Sequence, residues 1–497
     1  RVILFMKKRS FKSIALLLLL CNLLSPTKVA NAASVQPSTS PVVTSTYSVM
    51  NQVATINLDI TSKNNIKSLV YAQGEIESVD APDWDIIGID ITGDTSFEVI
   101  ESGIYSILAK DSKGNASISY VNVDLEFRAV WISYLEFSST GYASEEVFRK
   151  KVDEMFDNVA SMNMNAVVVQ VRPFSDAMYK SYYFPWSKYV SGTQGKAPSF
   201  DPMEVMIEEA HEKGLEFHAW INPYRITTNS TDVKALASNH PARKWLTDSN
   251  KANDRNVLIY GGNLYYNPAS TAAQGLIVKG VKEIVQKYDV DGIHFDDYFY
   301  PSLGNNYATV FDAKEYEAYK KSAKAKGQTV LSIADWRRNN VNTLVKNVYT
   351  VINKVDPDVE FGISPAGYYD KLMMDDRYYV DVNTWLSKDG YVDYICPQLY
   401  WSFEHKTYPY MDALEKWLSL RTNSSVKMYV GIPVYKAGSN EDADFKKNTA
   451  ILKEMVECGR DSEMVDGFMF FRYAFFNNKT TSKAVTILLD YLSENPM

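Results

Sequence analysis

From Glu126 onward, short apolar runs alternate with amphipathic stretches of helical period. The runs are "RAVWIS" (128–133), "AVVVQVRP" (166–173), "EFHAWINP" (216–223), "GIHFDDY" (292–298), "EFGISPAG" (360–367), "DYICPQLYW" (393–401), "KMYVGIPVY" (427–435) and "GFMFFRYAF" (467–475). Between them lie helical patterns such as "SEEVFRKKVDEMFDNVASM" and "NTLVKNVYTVINKV". Eight strand–helix units in about 370 residues predict an α/β fold, a (β/α)8 TIM barrel over 125–497. A doubly wound open sheet is the alternative, but the count of eight and the missing dinucleotide fingerprint favour the barrel. Upstream the period changes to two. Residues 46–124 hold runs such as "VATINLDI" and "ISYVNVDL", and "GIYSILAKDSKGNASISYVNVD" reads as a hairpin turning at Asp111–Asn115. This segment is expected to be a small all-β, immunoglobulin-like sandwich, an expectation resting on pattern rather than on a motif.

The first 32 residues read as an export signal. Met6-Lys7-Lys8-Arg9 is the basic start, Ile14–Leu20 the apolar stretch and Ala30-Asn31-Ala32 a small-residue cleavage site. Cys21, after Leu18–Leu20, is the alternative lipid-attachment point. Residues 33–45, rich in Ser, Thr, Pro and Val, are expected to form a linker. These features imply a secreted or cell-surface protein, with the small β-domain as the means of surface association.

A net charge of −8 gives no sign of nucleic-acid binding. After cleavage only Cys396 and Cys458 remain, too few for a disulfide framework, and Cys396 lies in an apolar run that suits a buried thiol. The five histidines (211, 218, 240, 294 and 405) have no zinc-type spacing, so neither a metal nor a cofactor is expected, and a metal-dependent deacetylase is disfavoured. There is no phosphate-cradling loop and no Gly-x-Ser-x-Gly elbow. The 34 Tyr, 22 Phe and 9 Trp suit sugar-stacking surfaces, and a large core equally well.

Alternation along each run separates helix-facing from lumen-facing positions. Val167, Val169 and Val171 share one face, with Gln170 and Arg172 on the other. His218 pairs with Asn222, His294 with Asp296, and Cys396 with Gln398 and Tyr400. The polar sets should point inward near strand C-termini, where barrel active sites form. Gln170, Arg172, His218, Asn222, His294, Asp296, Gln398 and Arg472 are therefore expected to converge on one mouth. Asp296 is the expected catalytic carboxylate. Asp297, its neighbour in the acid set, is expected to point the other way and hold an arginine or cap the loop. Tyr298, Phe299 and Tyr300 would wall the site.

These motifs occur together in a known family. "RAVWIS", "NAVVVQVRPFSDAMYKS", "AWINPYR", "VDGIHFDDYFYP", "DWRRNNVNTLV", "FGISPAGYY", "VDYICPQLYW" and "VGIPVYKAG" resemble the family-ten-like glycosyl hydrolases, exported bacterial barrels of which some act on peptidoglycan glycan strands. "GIHFDD" also resembles, more loosely, the fourth-strand motif of amylase-type barrels, whose aspartate at the Asp296 position is the nucleophile. The resemblance covers about residues 126–490 and implies a hydrolase of β-linked or amino-sugar-containing glycans. Two carboxylates are then needed. Glu404, beside Trp401 and Phe403, is ranked first as the acid, ahead of Asp176, Asp335 and Asp370, with Asp335 better suited to cap a helix. Arg337, Arg338 and Asn339 are expected to reach over the mouth toward substrate carboxylates or hydroxyls. Tyr224, Tyr400 and Trp401 are expected as sugar platforms. The competing reading is a non-catalytic carbohydrate-binding protein on the same scaffold. A second lumen-facing carboxylate near Asp296 separates the two.

Overall fold

The computed structural model describes residues 40–495, except 51, 52, 101 and 124. The expected export signal, Cys21 and the start of the linker lie outside these residues. The chain divides into two compact units, one running up to Glu126 with the residues from Ser493, the other Phe127–Leu492.

In the first unit, β1 (Val42–Met50), β2 (Val53–Thr61) and β5 (Ser96–Val99) form a three-stranded sheet in the order β1-β2-β5. A second sheet has the order β4-β3-β6-β7, from β3 (Ile66–Gln73), β4 (Ile89–Asp90), β6 (Gly103–Asp111) and β7 (Ala116–Val123). Ala54, Ile56 and Phe97 of one sheet share a core with Leu69, Ile107 and Val121 of the other, and Phe97 stacks on Tyr71 at 3.9 Å. The β6–β7 turn is organised by Asp111, whose Oδ1 accepts from the backbone N–H groups of Lys113 and Asn115, each at 2.9 Å. Strand β1 begins at Val42, inside the stretch read as a linker. Its Val and Thr residues are β-formers, and Val43 is buried. A short helix, Asp83–Ile86, also interrupts the strands.

In the second unit, eight parallel strands close a barrel in the order β10-β13-β14-β15-β16-β17-β8-β9. They are β8 (Phe127–Ile132), β9 (Ala166–Arg172), β10 (Glu216–Ile221), β13 (Gly292–Phe295), β14 (Glu360–Ile363), β15 (Tyr394–Ile395), β16 (Lys427–Ile432) and β17 (Gly467–Phe470). Between β10 and β13 lies an extra hairpin, β11 (Val257–Tyr260) and β12 (Asn263–Tyr266). The barrel strands read as near-continuous apolar runs because both faces are covered. Val130, Ile132, Val167 and Val169 meet the helices. Phe127, Ala129, Trp131, Val168 and Tyr429 fill the lumen.

The helices follow local signals. Helix 145–161 starts at Ser144, whose hydroxyl accepts from Val147 N–H. Helix 202–212 starts at Asp201 with Pro202 as its first residue. Helix 333–355 is capped by Ser332, which exchanges hydrogen bonds with Asp335. Asp335 is thus the third helical residue, engaged by the cap, rather than the cap itself.

Candidate active site

The lumen is packed and polar-satisfied at mid-height. His294 Nε2 lies 2.9 Å from Ser364 Oγ, and its Nδ1 lies 3.0 Å from the Tyr394 hydroxyl. His218 Nδ1 reaches the same hydroxyl at 3.1 Å, with its other nitrogen 3.1 Å from Glu216. Burial holds His294 well below the usual histidine range, so it is a neutral core residue. Gly292 leaves room for this layer: a Cβ there would lie 2.3 Å from His218 Nδ1. Both histidines point inward, as alternation requires, but they lie beneath the mouth and are fully buried. His294 therefore has no path to a substrate.

Above this layer sits the acid pair. Asp296 follows directly on β13. Its Oδ2 accepts from Trp220 Nε1 at 3.1 Å and from the Asn222 side-chain amide, and its Oδ1 accepts from Tyr298 N–H at 3.1 Å. Asn222 is itself fixed by Gln170, whose amide donates to Asn222 Oδ1 at 2.5 Å. Burial pushes the Asp296 carboxyl up, against Arg225 and the three N–H donors, which favour its ionised form.

Asp297 does not turn away. β13 ends at Phe295, so two-residue alternation no longer governs the pair. The Asp297 carboxyl lies beside the Gln398 side chain, and burial together with the neighbouring Asp296 charge pushes it up to about 7. Gln398 donates to the Ser364 carbonyl at 3.0 Å. The two carboxyls therefore serve one mouth, Asp296 on the β10 side and Asp297 on the β15 side. Tyr400, half-buried against Tyr435 and Phe471, feels the Asp297 charge.

The mouth has an aromatic wall with an arginine set in it. Arg225 Cζ lies 4.6 Å over Phe174 and 4.5 Å over Tyr298, and its Nε donates to the Pro173 carbonyl at 3.2 Å. Tyr134 packs on Phe174 and on Tyr189 at 5.0 and 4.7 Å. Tyr298 is 51% exposed, which suits a sugar-stacking ring. Backbone pairing of Tyr224, Arg225 and Ile226 with β12 holds the arginine in place. Neither Arg225 nor Trp220 was singled out from sequence, although each had a signal. Trp220 lies between His218 and Asn222 on the inward face. The hairpin behind Arg225 turns on Gly261-Gly262, both with positive φ, a two-glycine signature between strand-like runs.

Several expected site residues lie elsewhere. A register shift against Trp220/Ile221 breaks the alternation at the end of β9. Arg172 therefore faces the helices: its Cζ sits 4.3 Å over Phe184, and a Cβ on Gly280 of helix 271–287 would lie 2.4 Å from its Nη1. Tyr224 is fully buried, edge-on to Phe299, and cannot stack a sugar. Arg337 is fully buried and paired with Asp312 at 2.7 Å. Arg338 is turned to the Met373 carbonyl and Asp335. Arg472 pairs with Glu136, which Ser133 also contacts at 2.6 Å. The lumen face of β17 is instead set by Met469, with Phe471 following it. Trp401 packs edge-on to Tyr368 and Tyr408.

The candidate acid Glu404 stands exposed on a turn beside Ala443, Asp444, Lys447 and Asn448, without the apolar enclosure expected of it. Asp370 is also exposed. Asp176 is buried, accepts from the Gln194 amide at 2.8 Å, and is pushed up to about 6 by burial. Among the described residues, no group of three or more His, Cys, Asp or Glu is arranged to hold a metal ion.

A closed parallel barrel with paired carboxyls and half-buried aromatics at the strand C-termini belongs to the class of glycoside-hydrolase barrels. The match to a family model makes this specific: residues 126–447 fit "Glycosyl hydrolase-like 10", and the chain belongs to that family. It is 40% identical over 370 residues to glycosyl hydrolase YngK of Bacillus subtilis (strain 168), covering 70% of this chain and 68% of that protein. It is 33% identical over 364 residues to glycosyl hydrolase DigH of Escherichia coli (strain K12), covering 67% of this chain and 78% of that protein. Among solved structures, the PgaB (BpsB) glycoside hydrolase domain from Bordetella bronchiseptica aligns over 73% of this chain and 99% of its own, with TM-score 0.45 and 13% identity.

Proposed function

We propose that the protein is an exported glycosidase that cleaves glycosidic bonds in cell-wall, peptidoglycan-type glycans, with Asp297 as the acid and Asp296 as its ionised partner. The observation that carries this reading is the unequal environment of the two adjacent carboxyls. Three N–H donors and Arg225 favour the charge on Asp296. Asp297 has the Gln398 amide and a like charge beside it. Burial raises both carboxyls, and the donors and Arg225 on Asp296 make it the one to hold the charge, so that the pair divides into acid and anion. A neutral Asp297 can protonate the leaving glycosidic oxygen.

Consecutive residues reach the bond from one side, whereas flanking carboxylates attack from opposite sides. The attacking group therefore comes from elsewhere. In an amino-sugar glycan the 2-acetamido oxygen supplies it, and Asp296 orients and stabilises that group. This favours amino-sugar substrates over plain glucans. The basic, apolar, small-residue start of the sequence supports export, and the β-domain, read as an immunoglobulin-like module, suits attachment at the cell surface. Digestion of purified peptidoglycan, chitin oligomers and a β-glucan, with reducing ends counted, tests the reading. Release from the first two and not the third is expected, and release from the glucan alone would overturn it. The binding-only alternative loses ground because a second acid does face the lumen.

A further inference from the structure

Two consecutive residues on the β14 loop, Tyr378 and Tyr379, have φ of 59° and 55°. This is the left-handed region, which side chains other than glycine and asparagine disfavour and which persists only where surroundings enforce it. Here they do. The Tyr379 ring is fully buried, 4.8 Å from Tyr300. Its hydroxyl accepts from Arg337 Nη1 at 2.9 Å and donates to the Asp375 carbonyl at 2.7 Å. Arg337 is anchored on Asp312, which also accepts from the Tyr300 hydroxyl at 2.8 Å. Leu303 N–H donates to the Asp376 carbonyl at 2.7 Å, and Tyr378 forms an antiparallel bridge with Tyr300. Residues 376–378 are thus bound alongside 300–303, the continuation of the loop that carries Asp297.

The two tyrosines differ in what this accomplishes. Tyr379 packs. Tyr378 is half-buried, is close enough to Asp297 to feel its charge, and among the described residues its hydroxyl has no hydrogen-bond partner. A strained backbone that delivers a free phenol beside a carboxyl serves something outside the protein. We propose that Tyr378 is a substrate-contacting residue whose hydroxyl binds the sugar engaged by Asp297, and that the Arg337–Asp312–Tyr300–Tyr379 cluster exists to hold it there. The proposal rests on the glycosidase reading and adds a specific contact to it.

Three variants test it: Tyr378→Phe, Tyr378→Ala and Tyr378→Gly, measured for thermal melting, for kcat and KM on N-acetylated amino-sugar oligosaccharides, and for binding by calorimetry. Tyr378→Phe should melt with the wild type and lose at least about tenfold in kcat/KM, the size expected for one lost hydrogen bond to substrate. Tyr378→Gly should melt above Tyr378→Ala, the reverse of the order at an ordinary backbone position, with both as impaired as Tyr378→Phe. Wild-type kinetics in Tyr378→Phe would overturn the contact, and alanine melting above glycine would overturn the strain. Asp297→Asn serves as the control for the underlying reading. If the wild type cleaves nothing, the glycosidase reading fails by itself, and if Asp297→Asn turns over normally, the acid assignment fails while that reading stands. Calorimetry then decides Tyr378: weaker oligosaccharide binding by Tyr378→Phe supports the contact, and equal or absent binding overturns it.

Discussion

Two acid clusters lie on the same stretch of chain after β13, and they are built differently. Asp312 is fully buried, with Arg337 doubly bonded to one oxygen at 2.7 and 2.8 Å and the Tyr300 hydroxyl on the other at 2.8 Å. Its charge is cancelled within the protein and both oxygens are occupied. Asp296 and Asp297 are placed beside one another in the mouth, with Arg225 stacked between rings rather than clamped on either carboxyl. Burying like charges together is costly, and nothing in the mouth offsets it as Arg337 does for Asp312. Burial alone marks neither cluster as functional. What separates them is how the counter-charge is held: Arg337 is clamped on Asp312, whereas Arg225 acts on the acid pair from its place among the aromatic rings.

The largest expected effect lies on the open cluster. Asp296→Asn and Asp297→Asn should each lower kcat on a cleaved glycan by about 10²–10⁴-fold, the range for a general acid or its electrostatic partner. Folding and glycan binding should be retained. This places Asp297 level with Asp296, whereas strand alternation had ranked it lower. Full activity in Asp297→Asn, measured by reducing-end release, would move the acid elsewhere, with buried Asp176 next.

The closed cluster should respond in stability. Arg337→Met strands Asp312 without its cation, and breaking a buried pair costs about 3–5 kcal/mol. Urea unfolding followed by near-ultraviolet circular dichroism measures it. Arg337→Met/Asp312→Leu should recover much of the loss, because both charges then leave the interior together. A single variant as stable as the wild type would remove the contrast between the clusters.

Much of this was legible in sequence. The eight runs located the eight barrel strands because parallel strands covered on both faces must be continuously apolar, and "GIHFDD" marked the acid end of β13. Face assignments held within the strands, where Gln170, His218, His294 and Cys396 all point inward. They failed one or two residues later. Arg172 lies past a bulge and Asp297 past the last ladder bond, where period two has no physical basis. Arg337 was misread for another reason: an arginine at a helix start resembles a substrate clamp until the partner 25 residues earlier is known, and Asp312 gave no local sign.

A third effect is smaller and depends on pH. The Asp297 carboxyl, raised to about 7 by burial and Asp296, ionises near 4 in the unfolded chain. Between these values the folded state holds a proton that the unfolded state has released, so its contribution to stability falls as pH rises through that window. Activity that needs the acid form should fall as pH rises through about 7. Asp297→Asn removes the titration and should gain about 1 kcal/mol over the wild type between pH 5 and pH 8, well below the full shift because the carboxyl is only half-buried. Denaturant unfolding at the two pH values measures the gain, and an equal difference at both would leave the acid assignment without its titration.

The smallest effect is expected at Glu404, and it sharpens the comparison from outside. Glu404 was the leading acid by composition, a glutamate set between Phe403 and His405 three residues after Trp401. The neighbouring aromatics face other partners: Trp401 packs on Tyr408, and Phe403 on Tyr410. The carboxyl is left exposed beside Lys447 and Asn448, and an exposed carboxylate gains little from any single neighbour. Glu404→Gln should therefore change kcat/KM by less than about twofold and stability by less than about 0.5 kcal/mol, the usual range for surface substitutions. Its pH–rate profile should overlay the wild type's, falling through the same value near 7, whereas the profile of Asp297→Asn should lose that limb. If Glu404→Gln instead abolished the limb, the acid would be a solvent-exposed glutamate, and a carboxyl's enclosure would no longer identify the catalytic group in this barrel.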